Sequence, residues 1–281
     1  MKSIRVYRNS ILPVCTALFL STGIFAQLDK TKGYVQPLQD VFQTELVYPQ
    51  EKNEVQLTLI PEFQKSGDYD HLQFLFLAEY GLTDRWQVEF EWNVFQKRFF
   101  DPEPTVSGTG DIEIGTRYSF MNIGNTNFHT AAGFEVGIPL GDEDKGLGEG
   151  TLKYGPFILA AFDLPSLSHA QLFARAGIEF ANSSTNDDQD DGEEEGNEMT
   201  ISGGVFIPLG NLIFTAESTW QSDNLSDGDE SQLYLTPGII FNLPDGWEAG
   251  IGVPVGLNEQ SDNFRVMALL TFEFNPAGDY D

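Results

Sequence analysis

The sequence is almost devoid of cysteine, which limits how the protein can be held together. Its only cysteine, Cys15, lies in an N-terminal stretch built like a secretory signal: basic residues in "MKSIRVYR", an apolar run from Ile11 to Leu20, and small residues before Ala26. We place cleavage after Ala26. A lipoprotein signal ending at Cys15 is the alternative, but Val14 stands where a small residue is required. An exported chain without cysteine cannot rely on disulfide bonds for its stability.

Basic residues are scarce as well. The chain has 15 Lys and Arg against 43 Asp and Glu, which gives a formal net charge of -28 at pH 7. So acidic a surface repels the phosphates of nucleic acids and anionic lipid headgroups. The composition therefore predicts no nucleic-acid partner.

Long hydrophobic runs are missing after the signal. Because a membrane helix needs about 18 apolar residues in a row, none is predicted. Apolar and polar residues alternate instead, as in "WQVEFEWNV", residues 86–94, and such a period of two is typical of a β-strand. The pattern recurs about a dozen times between residues 53 and 274 in runs of about 10 residues, which suits a tilted membrane strand. Strands of soluble proteins usually have about 5–6 residues.

The connections between these runs alternate in length. Short turns on one rim and long, acidic loops on the other are typical of outer-membrane barrels. Large aromatic residues also lie beside the short turns, as a girdle at a membrane interface would. The short turns are 82–85, 121–126, 163–168, 209–211 and 243–246, the longer connections are 96–110, 141–150, 182–198 and 222–231, and the aromatic residues are Tyr80, Trp86, Phe120, Phe162 and Trp247.

The sequence therefore predicts an all-β fold: a membrane-spanning, up-and-down antiparallel β-barrel of about 12 strands, in the outer membrane of a Gram-negative bacterium. A soluble all-β protein is the alternative. It would place Gly115, Gly133 and Gly137 on a solvent face, where glycine weakens a sheet, whereas inside a barrel glycine relieves crowding.

Four segments are expected along the chain. They are residues 1–26, a signal peptide; 27–52, a periplasmic lead-in or a plug; 53–274, the barrel; and 275–281, a C-terminal tail. Within 27–52, the spacing of Leu38, Phe42 and Leu46 is that of one face of a helix.

Charged residues on the polar face of the strands are the candidate site, since that face should line the lumen. An acid-lined constriction would favour cations or polar neutral solutes, and a paired network that merely holds the lumen together is the alternative. Symmetric pairing of 86–95 with 111–120 predicts Glu89 opposite Arg117, or Glu91 after a slip of two residues. The lumen-lining candidates are Glu89, Glu91, Glu113, Arg117, Glu135, Arg175, Glu179, Glu217 and Arg265.

The acidic loop 187–198 matches a calcium-binding loop only by spacing. Asp187, Gln189, Asp191, Gly192 and Glu198 fall at ligand positions. The eighth position is Glu rather than an apolar residue, and no helices flank the loop. A solvated loop is the favoured interpretation over calcium binding, so we assign no metal ligand and predict no cofactor.

Catalytic patterns are lacking. A lipase of this class needs Ser and His together on the outward face, but His71, His129 and His169 all share the parity of the lumen. "DYDH", residues 68–71, supplies acids and a histidine on the long-loop rim without a second matching cluster. We therefore predict that the protein is not an enzyme.

Four stretches resemble a known family: "GLTDRWQVEFE", "GTGDIEIGTRYSF", "GFEVGIPLG" and "LYLTPGIIFNLPDGWEAGIGVPVGL". They are similar to the transporter-like outer-membrane barrels named for the meta-pathway of phenol degradation, and the likeness covers most of residues 53–274. The resemblance implies a pore or uptake route associated with hydrophobic or aromatic compounds. It supplies no catalytic or substrate-binding residues.

We therefore expect an outer-membrane channel or transporter for small molecules with a narrow polar lumen. A structural or surface-interaction barrel with acidic, calcium-binding extracellular loops is the alternative. Expected partners are outer-membrane lipid, small-molecule solutes and, during biogenesis, the barrel-assembly machinery, which reads a terminal strand such as the one ending at Phe274. A closed barrel has no free edge to pair, so a monomer is the expected state.

Overall fold

The computed structural model describes residues 38–67, 69–100, 104–182, 197–222 and 231–276. The predicted signal peptide, residues 27–37 of the predicted lead-in, residues 187–196 of the calcium-like loop, Asp68 and residues 277–281 lie outside this part of the chain. No helix in the described part is long and apolar enough to cross a membrane.

The described residues form a single antiparallel sheet of fourteen β-segments, with two short 3₁₀ turns at Ile123–Asn125 and Glu143–Lys145. The segments are β1 (Val55–Lys65), β2 (Asp70–Thr83), β3 (Trp86–Phe99), β4 (Val106–Gly108), β5 (Ile112–Phe120), β6 (Phe128–Ile138), β7 (Lys153–Leu164), β8 (Ala170–Ala181), β9 (Glu198–Leu209), β10 (Leu212–Ser222), β11 (Ser231–Asn242), β12 (Trp247–Gly252), β13 (Val255–Gly256) and β14 (Phe264–Phe274).

These segments make a closed barrel of 12 strands. The last strand, β14, pairs antiparallel with β1 from Val55–Phe274 to Lys65–Phe264, so the sheet has no free edge along these strands. Two barrel strands are interrupted, one between β4 and β5 and the other between β12 and β13. Gly110 N donates to Asn93 O at 2.8 Å, and Val253 N donates to Pro237 O at 3.0 Å, so the ladder continues across both breaks. The predicted fold class is confirmed.

Side chains alternate between the two faces of the wall as the sequence pattern predicts. On β7, Phe157 and Leu159 point inward and are 2% and 1% exposed, whereas Ile158 between them is 62% exposed. Glu62 and Glu79 point inward and are buried. The outer surface is thus an apolar band, which suits lipid, and the charged side chains are gathered inside.

β3 contains a β-bulge and runs further than the sequence pattern predicted. Phe74 pairs with Phe95 but Leu75 pairs with Asn93, so Val94 is the extra residue. A bulge reverses the alternation beyond it, which places Phe95 outside and Gln96 inside. The prediction that residues 96–110 form a loop was therefore wrong at both ends: β3 continues to Phe99 and β4 occupies Val106–Gly108.

A charge placed on the outer face at the middle of a strand tests the lipid-facing assignment. We expect Ile158→Arg to lower the free energy of unfolding in lipid vesicles by about 2–4 kcal/mol, because an arginine at the bilayer midplane is poorly solvated. The control is Leu167→Arg, in the turn after β7, for which about 0–1 kcal/mol is expected near the interface. Denaturant titration of the refolded variants measures both, and equal costs at the two positions would contradict the assignment.

Candidate functional site in the barrel lumen

The chain before β1 lies inside the barrel. Residues 38–50, here called the lumen segment, are buried or half-buried throughout. The base of the lumen segment is fixed beside the short-turn rim, where Gln50 N donates to Gln87 Oε1 at 2.9 Å and Ser119 Oγ donates to Val47 O at 2.7 Å. The wall therefore supplies hydrogen-bond partners for a chain that is not one of its strands.

The lumen segment folds back on itself in a tight loop. Asp40 and Glu45 form an isolated antiparallel bridge, and Leu46 N donates to Gln39 O at 3.0 Å. A turn closes the tip, with Val41 N donating to Thr44 O at 3.2 Å. The helical face predicted from the spacing of Leu38, Phe42 and Leu46 was therefore wrong. The apolar side chains instead pack against a surrounding wall, so they need not share one helical face.

The tip of the lumen segment is held by a carboxylate on β10. Phe42 N and Gln43 N donate to the two oxygens of Glu217 at 3.0 and 3.1 Å. Thr44 Oγ1 donates to Ser202 Oγ at 3.0 Å. Glu217 is only 1% exposed, so these donors, rather than water, supply hydrogen bonds to its carboxyl group. Glu217, one of the predicted lumen-lining residues, therefore binds the backbone of the lumen segment.

Glycines of β11 and β12 form a recess for the ring of Phe42. A Cβ built on Gly252 would lie 2.5 Å from Phe42 Cγ, and one on Gly250 would lie 3.1 Å from its Cζ. A Cβ on Gly238 would overlap the same ring. Any larger residue at these positions would have to displace Phe42.

An apolar cluster joins the lumen segment to the inner wall. Its members are buried apolar side chains from both sides of the contact, packed against one another. From the lumen segment they include Leu38, Val41, Phe42, Leu46, Val47 and Tyr48, and from the wall they include Ile60, Phe157, Leu159, Phe173, Phe206, Ile213, Ile240, Met267 and Leu269.

Arg117 links the lumen segment to the acidic side of the lumen. It is 1% exposed, and its guanidinium lies 3.3 Å from Glu45 and 3.5 Å from Glu79 while donating to Tyr48 O at 3.1 Å. Desolvation in the lumen raises the pKa of the nearby Asp40 carboxyl above its ordinary value. Asp40 and Glu45 were not among the predicted site residues, since no strand pattern placed them in the lumen.

The predicted pairing of Arg117 was wrong. Gln87 is its cross-strand partner, Glu89 lies opposite Gly115, and Glu91 lies opposite Glu113. The alternation of side chains fixes which face a residue occupies, but a shift of two residues leaves that face unchanged. The sequence pattern could therefore place these residues inside without deciding their register.

A second arginine lies among the wall carboxylates. Arg175 Nη2 donates to both oxygens of Glu135 at 2.6 and 2.8 Å, and its guanidinium lies 4.8 Å from the centre of the Phe157 ring. Two groups of three carboxylates meet around it, each with oxygens within 4.8 Å of one another. Such oxygen sets could hold a hard cation, and the two arginines supply positive charge to the same region. The groups are Glu45–Glu89–Glu135 and Glu113–Glu135–Glu179.

Arg265, the last of the predicted lumen-lining residues, lies apart from these carboxylate groups. Arg265 Nε donates to Asp262 at 2.8 Å and its Nη2 to the Tyr234 hydroxyl at 2.8 Å, near the long-loop rim. The structure therefore separates the nine predicted residues into three environments. Glu89, Glu91, Glu113, Arg117, Glu135, Arg175 and Glu179 share one region, Glu217 holds the tip of the lumen segment, and Arg265 is bound at the rim.

The three histidines lie in different surroundings. His71 is buried with Nε2 3.2 Å from Gln96 Oε1, and His129 is buried with Nε2 2.9 Å from Asp163. His169 is exposed in the turn after β7, where strand alternation no longer applies, so its predicted inward orientation was wrong. Asp163 also accepts a hydrogen bond from the Tyr48 hydroxyl at 2.9 Å. His129 and Asp163 therefore help to anchor the lumen segment to the wall.

An outer and an inner cavity lie in the lumen. The outer cavity, of about 360 Å³, lies toward the long loops and is lined by amide, acidic and basic side chains, among them Gln73, Glu113 and Lys153. The inner cavity, of about 180 Å³, lies between the lumen segment and a wall that includes Ile60 and Leu269. Leu75 and Glu91 line both cavities. The two spaces are therefore neighbours along one side of the lumen.

A closed barrel with an apolar outer band and a charged interior defines the class: this is an outer-membrane β-barrel. The chain belongs to the family described as "Putative MetA-pathway of phenol degradation", which matches residues 82–274. The resemblance seen in the sequence is thereby confirmed.

Solved structures share the fold at low sequence identity. The COG4313 outer membrane channel from Pseudomonas putida F1 has a TM-score of 0.63 and 13% identity, covering 84% of this chain and 100% of that one. The NanC porin has a TM-score of 0.55 and 11% identity, covering 77% and 98%. The KdgM porin has a TM-score of 0.53 and 10% identity, covering 78% and 99%. The comparison with curated proteins found no match.

The recess around Phe42 gives a direct test of how the lumen segment is seated. We expect Gly252→Ala to lower the free energy of unfolding by about 1–3 kcal/mol, because the added methyl group overlaps the Phe42 ring. In a Phe42→Ala background the same change should cost much less, and a double-mutant cycle measures the difference.

The matched control is Gly67→Ala, where an added Cβ meets nothing within 4 Å. A Gly252→Ala cost that is the same with and without the Phe42 ring would show that the recess does not depend on the lumen segment.

Proposed function

We propose that this protein is an outer-membrane channel for small molecules whose inner half is closed by the lumen segment. The proposal rests on the position of the lumen segment. This segment is not one of the barrel strands, and its tip is seated in a recess of the barrel wall. Polar cavity space lies on its outer side. Removal of the lumen segment would join that space to the short-turn rim.

The hydrogen bonds of the lumen segment to the wall are of a kind that can be exchanged for water. Between Gln39 and Leu46 its backbone-to-backbone hydrogen bonds are internal, while the wall contributes side chains such as Glu217 and Ser202. Withdrawal of this stretch would therefore break no hydrogen bond between barrel strands. The shared lining of the two cavities, at Leu75 and Glu91, supports a solute route along β2 and β3.

The charge of the lumen indicates which solutes would pass. Carboxylates outnumber the two arginines in the central region, so anions should be disfavoured. Membership of a family named for phenol degradation makes small aromatic compounds the first class to test. Together these features favour uncharged or cationic aromatic solutes over aromatic carboxylates.

The apolar cluster favours a second function, a structural barrel in which the lumen segment is a permanent core. Such a barrel would bury the same surfaces but pass no solute. Planar-bilayer recording separates the two functions, because a permanently filled barrel is silent under all conditions.

Ion selectivity tests the channel and its acidic lining together. In planar bilayers, we expect steady, cation-preferring conductance from the refolded chain lacking residues 27–52, and rare openings from the chain beginning at residue 27. Glu89→Ala with Glu91→Ala should lower the cation-to-anion permeability ratio several-fold, since two carboxylates are lost from the lumen.

The control is Glu259→Ala, an exposed position in a connection on the long-loop rim. Heat-modifiable gel mobility reports whether each variant has folded. An unchanged permeability ratio in the folded double variant would contradict the acidic lining. Complete silence from the folded chain beginning at residue 27 would support the structural barrel, whether or not the chain lacking residues 27–52 conducts.

A further inference from the structure

A loop on the long-loop side of the barrel forms part of the lining of the outer cavity. It connects β6 to β7, spans residues 139–152, and is called the mouth loop here. Asp111 holds both of its ends: Oδ1 accepts hydrogen bonds from Leu140 N at 2.8 Å and Gly141 N at 2.7 Å, and Oδ2 accepts one from Glu149 N at 2.8 Å. One carboxylate, in the connection just before β5, therefore fixes where the mouth loop leaves and rejoins the rim.

The mouth loop is compact as well as anchored. Leu147 N donates to Asp142 O at 2.9 Å, and Gly146 N donates to Glu143 O at 2.7 Å. Gly141 and Gly148 lie back to back, since a Cβ on Gly148 would be 2.6 Å from Gly141 Cα. These close backbone contacts require glycine, so the mouth loop is built to hold one shape.

That shape directs one apolar side chain into the lumen. Leu147 is 2% exposed, whereas Leu140 in the same loop is 58% exposed. The Leu147 carbonyl accepts a hydrogen bond from Gln96 Nε2, and a Cβ on Gly108 would lie 2.9 Å from Leu147 Cδ1. Leu147 also lines the outer cavity, so a loop residue of the long-loop side contributes an apolar group to that cavity.

We propose that Leu147 is the size-determining residue of the outer entrance. A solute that enters from the long-loop side passes the Leu147 side chain before it reaches the glutamates of the outer cavity. An isobutyl group offers no hydrogen bond to a polar solute, so it discriminates by bulk, and the carboxylates below it discriminate by charge. The entrance therefore admits compact solutes and excludes branched ones of the same charge. This role rests on the proposed channel function.

Thiol labelling from the outside tests this without requiring solute to cross the barrel. A single cysteine is placed on the cavity wall by Glu113→Cys in the chain beginning at residue 27, which has no cysteine of its own. The folded protein in lipid vesicles is treated with two methanethiosulfonate reagents of equal charge, one compact and one bulky. The labelling rate of each reagent is measured, with Gln73→Cys as a second reporter site in the same cavity.

We expect Leu147→Ala to raise the rate of the bulky reagent by about tenfold, equivalent to about 1.4 kcal/mol of barrier. The rate of the compact reagent should change little. Leu147→Met, which restores the bulk, should bring the bulky reagent back toward its original rate. Leu140→Ala is the matched control, because it removes the same atoms from an exposed position of the same loop.

A bulky-reagent rate that does not rise in Leu147→Ala, at either reporter site, would overturn the proposal. So would an equal rise in Leu140→Ala, because the effect would then come from loosening the mouth loop. Conductance is a separate readout: a folded barrel that labels as expected but never conducts would overturn the channel function while leaving Leu147 as the entrance filter of the cavity.

Discussion

Lipid offers no hydrogen bonds, and the rest of this structure depends on that constraint. A strand that faces acyl chains must satisfy its backbone N–H and C=O groups through neighbouring strands, and the sheet must close to avoid a bare edge. Here closure is made by β1 and β14, from Val55–Phe274 to Lys65–Phe264. Once the ladder is closed, each strand has one face in lipid and one in the lumen. The acidic residues of the strands must then share a confined interior.

That interior is organised by opposite charge and by the lumen segment. Arg117 and Arg175 lie among carboxylates of β2, β3, β5 and β6, where removal of one arginine would leave several acids without a charged partner. The lumen segment contributes to both sides of this arrangement. Its Glu45 joins the acidic cluster, whereas its Phe42 fills the glycine recess on β11 and β12. The barrel and the lumen segment are thus complementary in charge and in shape.

Strand alternation was enough to predict the fold and the inward residues, because a period of two is imposed by the strand itself. The stretch from Trp86 to Val94 shows where that reasoning ends. It placed Glu89 and Glu91 in the lumen, but it could not fix their cross-strand partners, nor foresee the bulge at Val94 that reverses the pattern beyond it. No sequence pattern pointed to Leu147. The mouth loop has no periodic alternation of apolar and polar residues, and its shape depends on Asp111 of another connection.

In the proposed function, the lumen segment closes the channel and can leave its seat. Thr44 Oγ1 and Ser202 Oγ lie 3.0 Å apart, so Thr44→Cys with Ser202→Cys in the chain beginning at residue 27 creates a disulfide that locks the tip to the wall. We predict that the oxidised protein is silent in planar bilayers and that reduction produces openings, which reoxidation abolishes. Equal conductance in the two redox states, with the disulfide confirmed by mass spectrometry, would contradict the account.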